Sequence, residues 1–229
     1  MDSLPQELID AIIDNLPSSS LGASSLVAKR WRQKSQQRAL DTILFTSEYE
    51  LERWHAVVKD LDGISSYVRF VKFHGIASWS KPTLFCSLLK SFSSLATLEV
   101  YNGMLPDELL GHISRGELGR GITGLYLWFA RCTPLTTVSL ILSLPGLKKL
   151  VYFPYGIAPE EPPPIHPVAP QREPLDLLEL FQDANGVAGA LIRSQFTSRN
   201  LSLYTVTSGV QHLLKLSSHI VIKLTLRGM

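Results

Sequence analysis

The chain has 229 residues, with 22 Lys and Arg against 20 Asp and Glu for a formal charge of +2, so it carries no basic field of the kind that nucleic-acid binding needs. At 45% hydrophobic and 18% charged it can bury a sizeable core, as one body or as a small head with an elongated body. Mean hydropathy is +0.12, yet no apolar run approaches the ~18 residues of a membrane helix, the acidic N-terminus does not read as a signal, and two cysteines suggest no disulfide framework, so an intracellular chain (cytoplasm and/or nucleus) is expected.

The first stretch is helical. Leu4, Leu8, Ile9, Ile12, Ile13 and Leu16 recur at steps of three and four, a broad apolar stripe on a helix over about 5–16. Pro5 suits its first turn and Glu7 the positive end of its dipole. Pro17 stops it, Ser18 to Ser20 offer an N-cap for a second short helix, and Leu21, Leu26 and Val27 give that helix an apolar side. A third, basic helix runs from Lys29 to Leu40. Its KRWRQK run, 29–34, reads as a solvated face with Trp31 turned inward. Three helices this short bury little alone, so the stripe needs a partner to cover it.

These residues resemble the F-box: Leu4, Pro5, Glu7, Leu8, Ile12, Leu16, Leu21, Val27, Lys29 and Trp31 fall in its order with no gap. Gly22 and Ala23 stand where larger residues are usual, and Ala28 where a Cys is common. The resemblance implies an F-box over 1–39 that docks to a Skp-type adaptor through Leu4, Pro5, Leu8, Ile12, Leu16, Leu21, Val27 and Trp31. Trp31 and Val27 would lock the three helices together.

From residue 40 onward a second pattern takes over. An apolar-x-x-apolar-x-apolar template recurs as Leu40/Ile43/Phe45, Val68/Val71/Phe73, Leu95/Leu98/Val100, Ile122/Leu125/Leu127, Leu147/Leu150/Tyr152, Leu175/Leu178/Leu180 and Val221/Leu224/Leu226. The first five intervals are 28, 27, 27, 25 and 28 residues, and Ser198/Leu201/Leu203 bisects the last gap. Helix-like stretches lie between: Ser47 with Glu50 makes a capping box, and Pro82, Pro106 and Thr133-Pro134 open further helices. Asp183 and Thr207 precede two more.

The unit is strand, turn, helix, turn, at the period of leucine-rich repeats, which the segment 40–229 resembles. That resemblance implies an α/β fold: a solenoid with parallel strands on the concave side and helices on the convex side. The Asn or Cys usual three residues past the template is replaced by Ile76, Gly103, Ala130, Tyr155 and Asp183, so the repeat is irregular, and an ordinary α/β sheet stays open as the alternative. Residues 154–174 hold eight of the fourteen prolines. They read as a loop inserted between repeats, polyproline II where structured, with Pro164, Pro167 and Pro170 on one edge. The last strand has only three residues after it, which leads us to expect a missing cap or a truncated C-terminus.

Catalytic and metal-binding signatures are not found. Gly119-Arg120-Gly121-Ile122-Thr123-Gly124 matches a dinucleotide fingerprint by letter, but it leads into a strand instead of opening a helix, so it reads as a turn. The six His (His55, His74, His112, His166, His212 and His219) show no metal spacing. No cofactor, metal or catalytic residue is expected. What stands out is a column one position past each template: His74, Tyr101, Trp128, Phe153, Phe181 and Tyr204. Strand alternation places these on the exposed concave face as a target-binding surface, unless the register is off by one and buries them.

The two resemblances together imply a non-catalytic substrate-recognition subunit of an SCF-type cullin-RING ubiquitin ligase. Its partners would be a Skp-type adaptor, a cullin scaffold and a target protein, with no nucleic acid or membrane. A repeat scaffold without ligase role, and a small-molecule sensor using the aromatic face, stay open as alternatives.

Overall fold

The computed structural model describes residues 4–60, 63–76, 78–132, 134–154, 173–181, 187, 191, 197–204 and 223–226. Three helices form the head: α1 (Gln6–Asp14), α2 (Ser18–Val27) and α3 (Lys29–Leu40). Pro5 and Pro17 are themselves the N-cap residues of α1 and α2, so Ser18 is the first helical residue of α2 and no side chain caps it. Proline fits there because its fixed φ starts the helix and its missing N–H would have had no acceptor. Ala28, extended at φ −158°, breaks α2 from α3. Ile9, Ile13 and Leu21 are the head's own core, with Leu4, Leu16 and Trp31 packed around them.

The body alternates strands with helices: β1 (Thr42–Phe45), α4 (Glu48–Asp60), a short 3-10 turn (Ile64–Tyr67), β2 (Phe70–His74), α5 (Pro82–Ser91), β3 (Thr97–Tyr101), α6 (Asp107–Ser114), β4 (Gly124–Ala130), α7 (Pro134–Leu142) and β5 (Lys149–Pro154). Strands β6 (Leu177–Leu180), β7 (Asn200–Leu203) and β8 (Lys223–Leu226) complete one sheet. All eight strands are parallel and their order in the sheet is their order in the chain. Crossovers of one hand then put α4 to α7 on the same side, where they pack against one another in sequence.

Register follows the apolar template. Ile43, Val71, Leu98, Leu125, Leu150, Leu178, Leu201 and Leu224 pair as one row, and Phe45, Phe73, Val100, Leu127, Tyr152, Leu180, Leu203 and Leu226 as the next. From Ile43 to Leu203 both rows are buried under the helices, against Phe85, Leu88, Leu109 and Ile141 among others, each such side chain contributing about 1.5–3 kcal/mol of transfer free energy. Ser198 takes an apolar slot because its hydroxyl donates to the Leu175 and Asn200 carbonyls, at 3.3 and 2.8 Å. Tyr152 fits another because its hydroxyl meets Thr137, and burial pushes it up to about 12.

Backbone amides do the work of the absent Asn or Cys. The Met104 N–H donates to the Ile76 carbonyl at 2.9 Å and the Arg131 N–H to the Gly103 carbonyl at 2.8 Å. At the start of the strands the carbonyls of Asp41, Arg69, Ala96, Thr123 and Lys148 each accept two amides from the following unit. The capping box is present in a stretched form: Glu50 N–H reaches Ser47 Oγ at 3.4 Å, while the Glu50 carboxylate accepts from the Thr46 amide at 2.6 Å. The Gly119–Gly124 segment is a turn into β4. Gly121 is required there because a Cβ would lie 2.9 Å from the Leu95 carbonyl oxygen.

The proline-rich 154–174 loop and the helices expected after Asp183 and Thr207 lie almost wholly outside the described residues. Val187 and Leu191, one helical turn apart, are helical and buried. Asp41 alone joins α3 to β1, and its carboxylate pairs with the Arg69 guanidinium.

Candidate protein-interaction surfaces

On the head, α1 divides its apolar stripe in two. Ile9 and Ile13 face inward at 1% and 0% exposure, whereas Leu8 and Ile12, likewise one turn apart, stand 51% and 41% exposed. On α2, Leu26 and Val27 are exposed at 79% and 52%. Four large apolar side chains in water on so small a head mark a surface that expects a cover. Pro5 is exposed, Leu4, Leu16 and Trp31 are half-buried against the head core, and Leu21 is fully buried within it. Leu21 therefore drops out of the expected contact surface, because the short head has nothing else to fill the space between α1 and α3. Val27 is exposed and does not lock the helices. Leu26 was not among the residues expected to touch a partner; its position beside Val27 at the end of α2 was the available signal.

Trp31 packs on the apolar core that joins the helices, and polar contacts add to it. Arg30, Lys34 and Arg38 lie four apart on α3 and face α1: Arg30 Nε donates to Gln6 Oε1 at 3.3 Å and Lys34 pairs with Asp14 at 3.1 Å. Arg38 donates to the Ile13 carbonyl and, at 3.1 Å, to the Leu16 carbonyl. The last carbonyls of a helix lack partners within it and carry partial negative charge, so a guanidinium is well matched to them. Half of the basic run expected to be a solvated face is thus a clamp. A buried hydroxyl pair, Ser24 and Ser35 at 2.9 Å, ties α2 to α3.

The second surface is the face of the sheet away from the helices. Its last row carries His74, Tyr101, Trp128 and Phe153, which are register partners on β2 to β5, followed by Phe181 and Tyr204 just past β6 and β7. Tyr101 is 43% exposed and the others are half-exposed, while the neighbours Val100, Leu127 and Tyr152 are at most 2% exposed. The rings touch in succession: His74 to Tyr101 at 5.2 Å, Phe153 to Phe181 at 4.8 Å and Phe181 to Tyr204 stacked at 3.6 Å.

The column has a member that strand alternation did not place. The register slips between Trp128 and Ala130, so Phe129 joins the row, 5.8 Å from Tyr101 and 4.2 Å from Phe153. Trp128 reaches past the column to Phe181, edge on at 5.3 Å. A one-residue bulge leaves no trace in a period-two pattern. Behind this row Glu99 pairs with Lys72 at 2.9 Å and meets His74 of the row at 3.3 Å.

Cys86 is buried and desolvation pushes its thiol up to about 11, which removes it as a nucleophile. Among the described residues no helix is long and apolar enough to cross a membrane.

Residues 1–41 match the F-box domain family, which supports reading the head as an F-box. The match ends at Asp41, the residue that joins α3 to β1. A search of the curated proteins finds no match to the chain.

Proposed function

We propose that this protein is the substrate-recognition subunit of an SCF-type cullin-RING ubiquitin ligase, in which the F-box docks to a Skp-type adaptor and a leucine-rich-repeat-like solenoid holds the target. The observation that carries the reading is the coincidence of the F-box match with a head whose Leu8, Ile12, Leu26 and Val27 lie bare. Together with Leu4, Pro5 and the half-buried edges of Leu16 and Trp31, these residues form the adaptor contact.

Support for the solenoid comes from the eight parallel strands laid down in chain order at intervals of 23 to 28 residues, with α4 to α7 packed in sequence. Support for the target face comes from the half-exposed ring row, since aromatic side chains dominate the energetics of protein interfaces. The protein performs no chemistry in this reading. It works inside the cell by holding a target near a ubiquitin-loaded enzyme, so the gain is effective concentration.

Affinity capture of the tagged full-length chain from cell extract tests this. Co-purification of a Skp-type adaptor together with a cullin is expected. Recovery of other proteins without adaptor and cullin would replace the ligase reading by that of a free-standing scaffold.

A further inference from the structure

At three successive strand ends, the residue after the ring column has left-handed backbone: Gly75 at φ 73°, Asn102 at 48° and Phe129 at 51°. Glycine and asparagine adopt it readily, and a phenylalanine does not. β4 therefore keeps a bulky ring where β2 and β3 use residues suited to the turn. A glycine at 129 would relieve the strain, so the ring has a use that the turn itself does not require. Its consequence is visible: Phe129 fills the column between Tyr101 and Phe153, and Trp128 lies across on Phe181.

The groups behind the rings indicate what that arrangement suits. Glu99, Tyr126, Val151 and Glu179 are register partners on β3, β4, β5 and β6, one row back from the column. Glu99 is already paired with Lys72 at 2.9 Å. Among the described residues no cation comes within 4.0 Å of Glu179, although Lys149 and Lys223 line the same groove further toward the strand starts. Burial, then the carboxylates of Glu179 and Glu99, push the Tyr126 hydroxyl up. Ring faces beside a carboxylate are complementary to a positive charge.

We propose that Trp128, Phe181 and Glu179 receive one cationic side chain, arginine or lysine, carried by an extended segment of the target protein, and that Phe129 is the positioning residue that turns Trp128 onto Phe181. This rests on the reading of the ring row as the target face. An acidic side chain would meet Glu179 and Glu99 as like charges, and an apolar one would cover Glu179 without pairing it.

The test uses immobilised full-length protein and pools of nine-residue peptides, fixed at the centre as Arg, Lys, norleucine or Glu and mixed elsewhere. Arg and Lys pools are expected to be retained about tenfold better than norleucine or Glu pools. Glu179→Gln abolishes most of that preference, Glu179→Lys turns it toward Glu, and Phe129→Gly weakens it while leaving the melting temperature at or above that of the wild type. Equal retention of Arg and norleucine pools, no retention of any pool, or a preference unchanged in both Glu179 variants would overturn the proposal. Equal retention of Arg and norleucine pools, with both lost in Trp128→Ala, would sink the cation and leave the ring row as target face. Cation-selective retention that survives Trp128→Ala would sink the ring row itself.

Discussion

Leu127 and Trp128 are neighbours on β4, and truncating each to Ala asks which side of the sheet is core. Leu127 is 0% exposed, and Leu→Ala at such a site costs about 3–5 kcal/mol for lost transfer energy and the cavity left behind. Trp128 is half-exposed, and the ring pair it makes with Phe181 is edge-on at 5.3 Å. That pair is worth about 0.5–1.5 kcal/mol, and with the partial burial of the ring the loss comes to about 1–2 kcal/mol. At about 2–4 °C per kcal/mol for a chain of this size, Trp128→Ala lowers the melting temperature by about 2–8 °C and Leu127→Ala by about 6–20 °C. Thermal unfolding followed by circular dichroism on the two variants side by side is the assay. A tryptophan truncation as costly as the leucine one would mean that the ring row is core, and the target-face argument would fall with it.

Glu117 gives a pH prediction. Its carboxylate accepts from Arg115 Nε at 2.5 Å and from Lys90 Nζ and His112 Nδ1 at 2.7 Å each; hydrogen bonds from Arg115 first, then Lys90 and His112, hold it well below the usual carboxylate range. A depressed folded-state value gives stability that is present above the unfolded value of about 4.3 and is lost as pH falls below it. Wild type should therefore melt slightly above Glu117→Gln at pH 7, and that small gap should close on acidification below about pH 4; a gap that widens in acid would contradict the assignment. Two glycines should respond oppositely to alanine. Gly121→Ala drives a Cβ onto the Leu95 carbonyl and costs about 1–3 kcal/mol, whereas Gly22→Ala, with open space around it inside α2, gains about 0.5–1 kcal/mol; equal signs in chemical denaturation would count against the local geometry.

Much of this fold is legible in the chain because a buried parallel strand repeats its apolar positions at fixed offsets, and the template rows from Ile43 to Leu224 coincide with the observed register. Ser198 was readable as a repeat slot even though it is polar, since its flanking leucines keep the spacing. The bulge at Phe129 was not readable, because it depends on a backbone choice at a single residue and the letters on either side fit an unbroken strand equally well. The head was legible as helices but not as surfaces. Ile9, Ile13 and Leu21 are chemically like Leu8, Ile12 and Leu26, and only the packing of α1 against α3 decides which set is covered. The basic run 29–34 misled in a similar way: charge at 30 and 34 reads as solvated until Gln6 and Asp14 of α1 are placed against it.

In the proposed function the bare apolar side chains of the head are an adaptor-docking surface. Titration calorimetry of the full-length chain with a purified Skp-type adaptor, for wild type and for the Leu8→Asp/Leu26→Asp double variant, tests it most directly. Both residues are exposed, so the variant should melt at the wild-type temperature. Removing two central apolar contacts and placing charge at the interface should cost about 2 kcal/mol or more, a loss of about thirtyfold or greater in affinity. Undiminished binding by the variant, or a wild-type chain that does not bind the adaptor at all, would contradict the account.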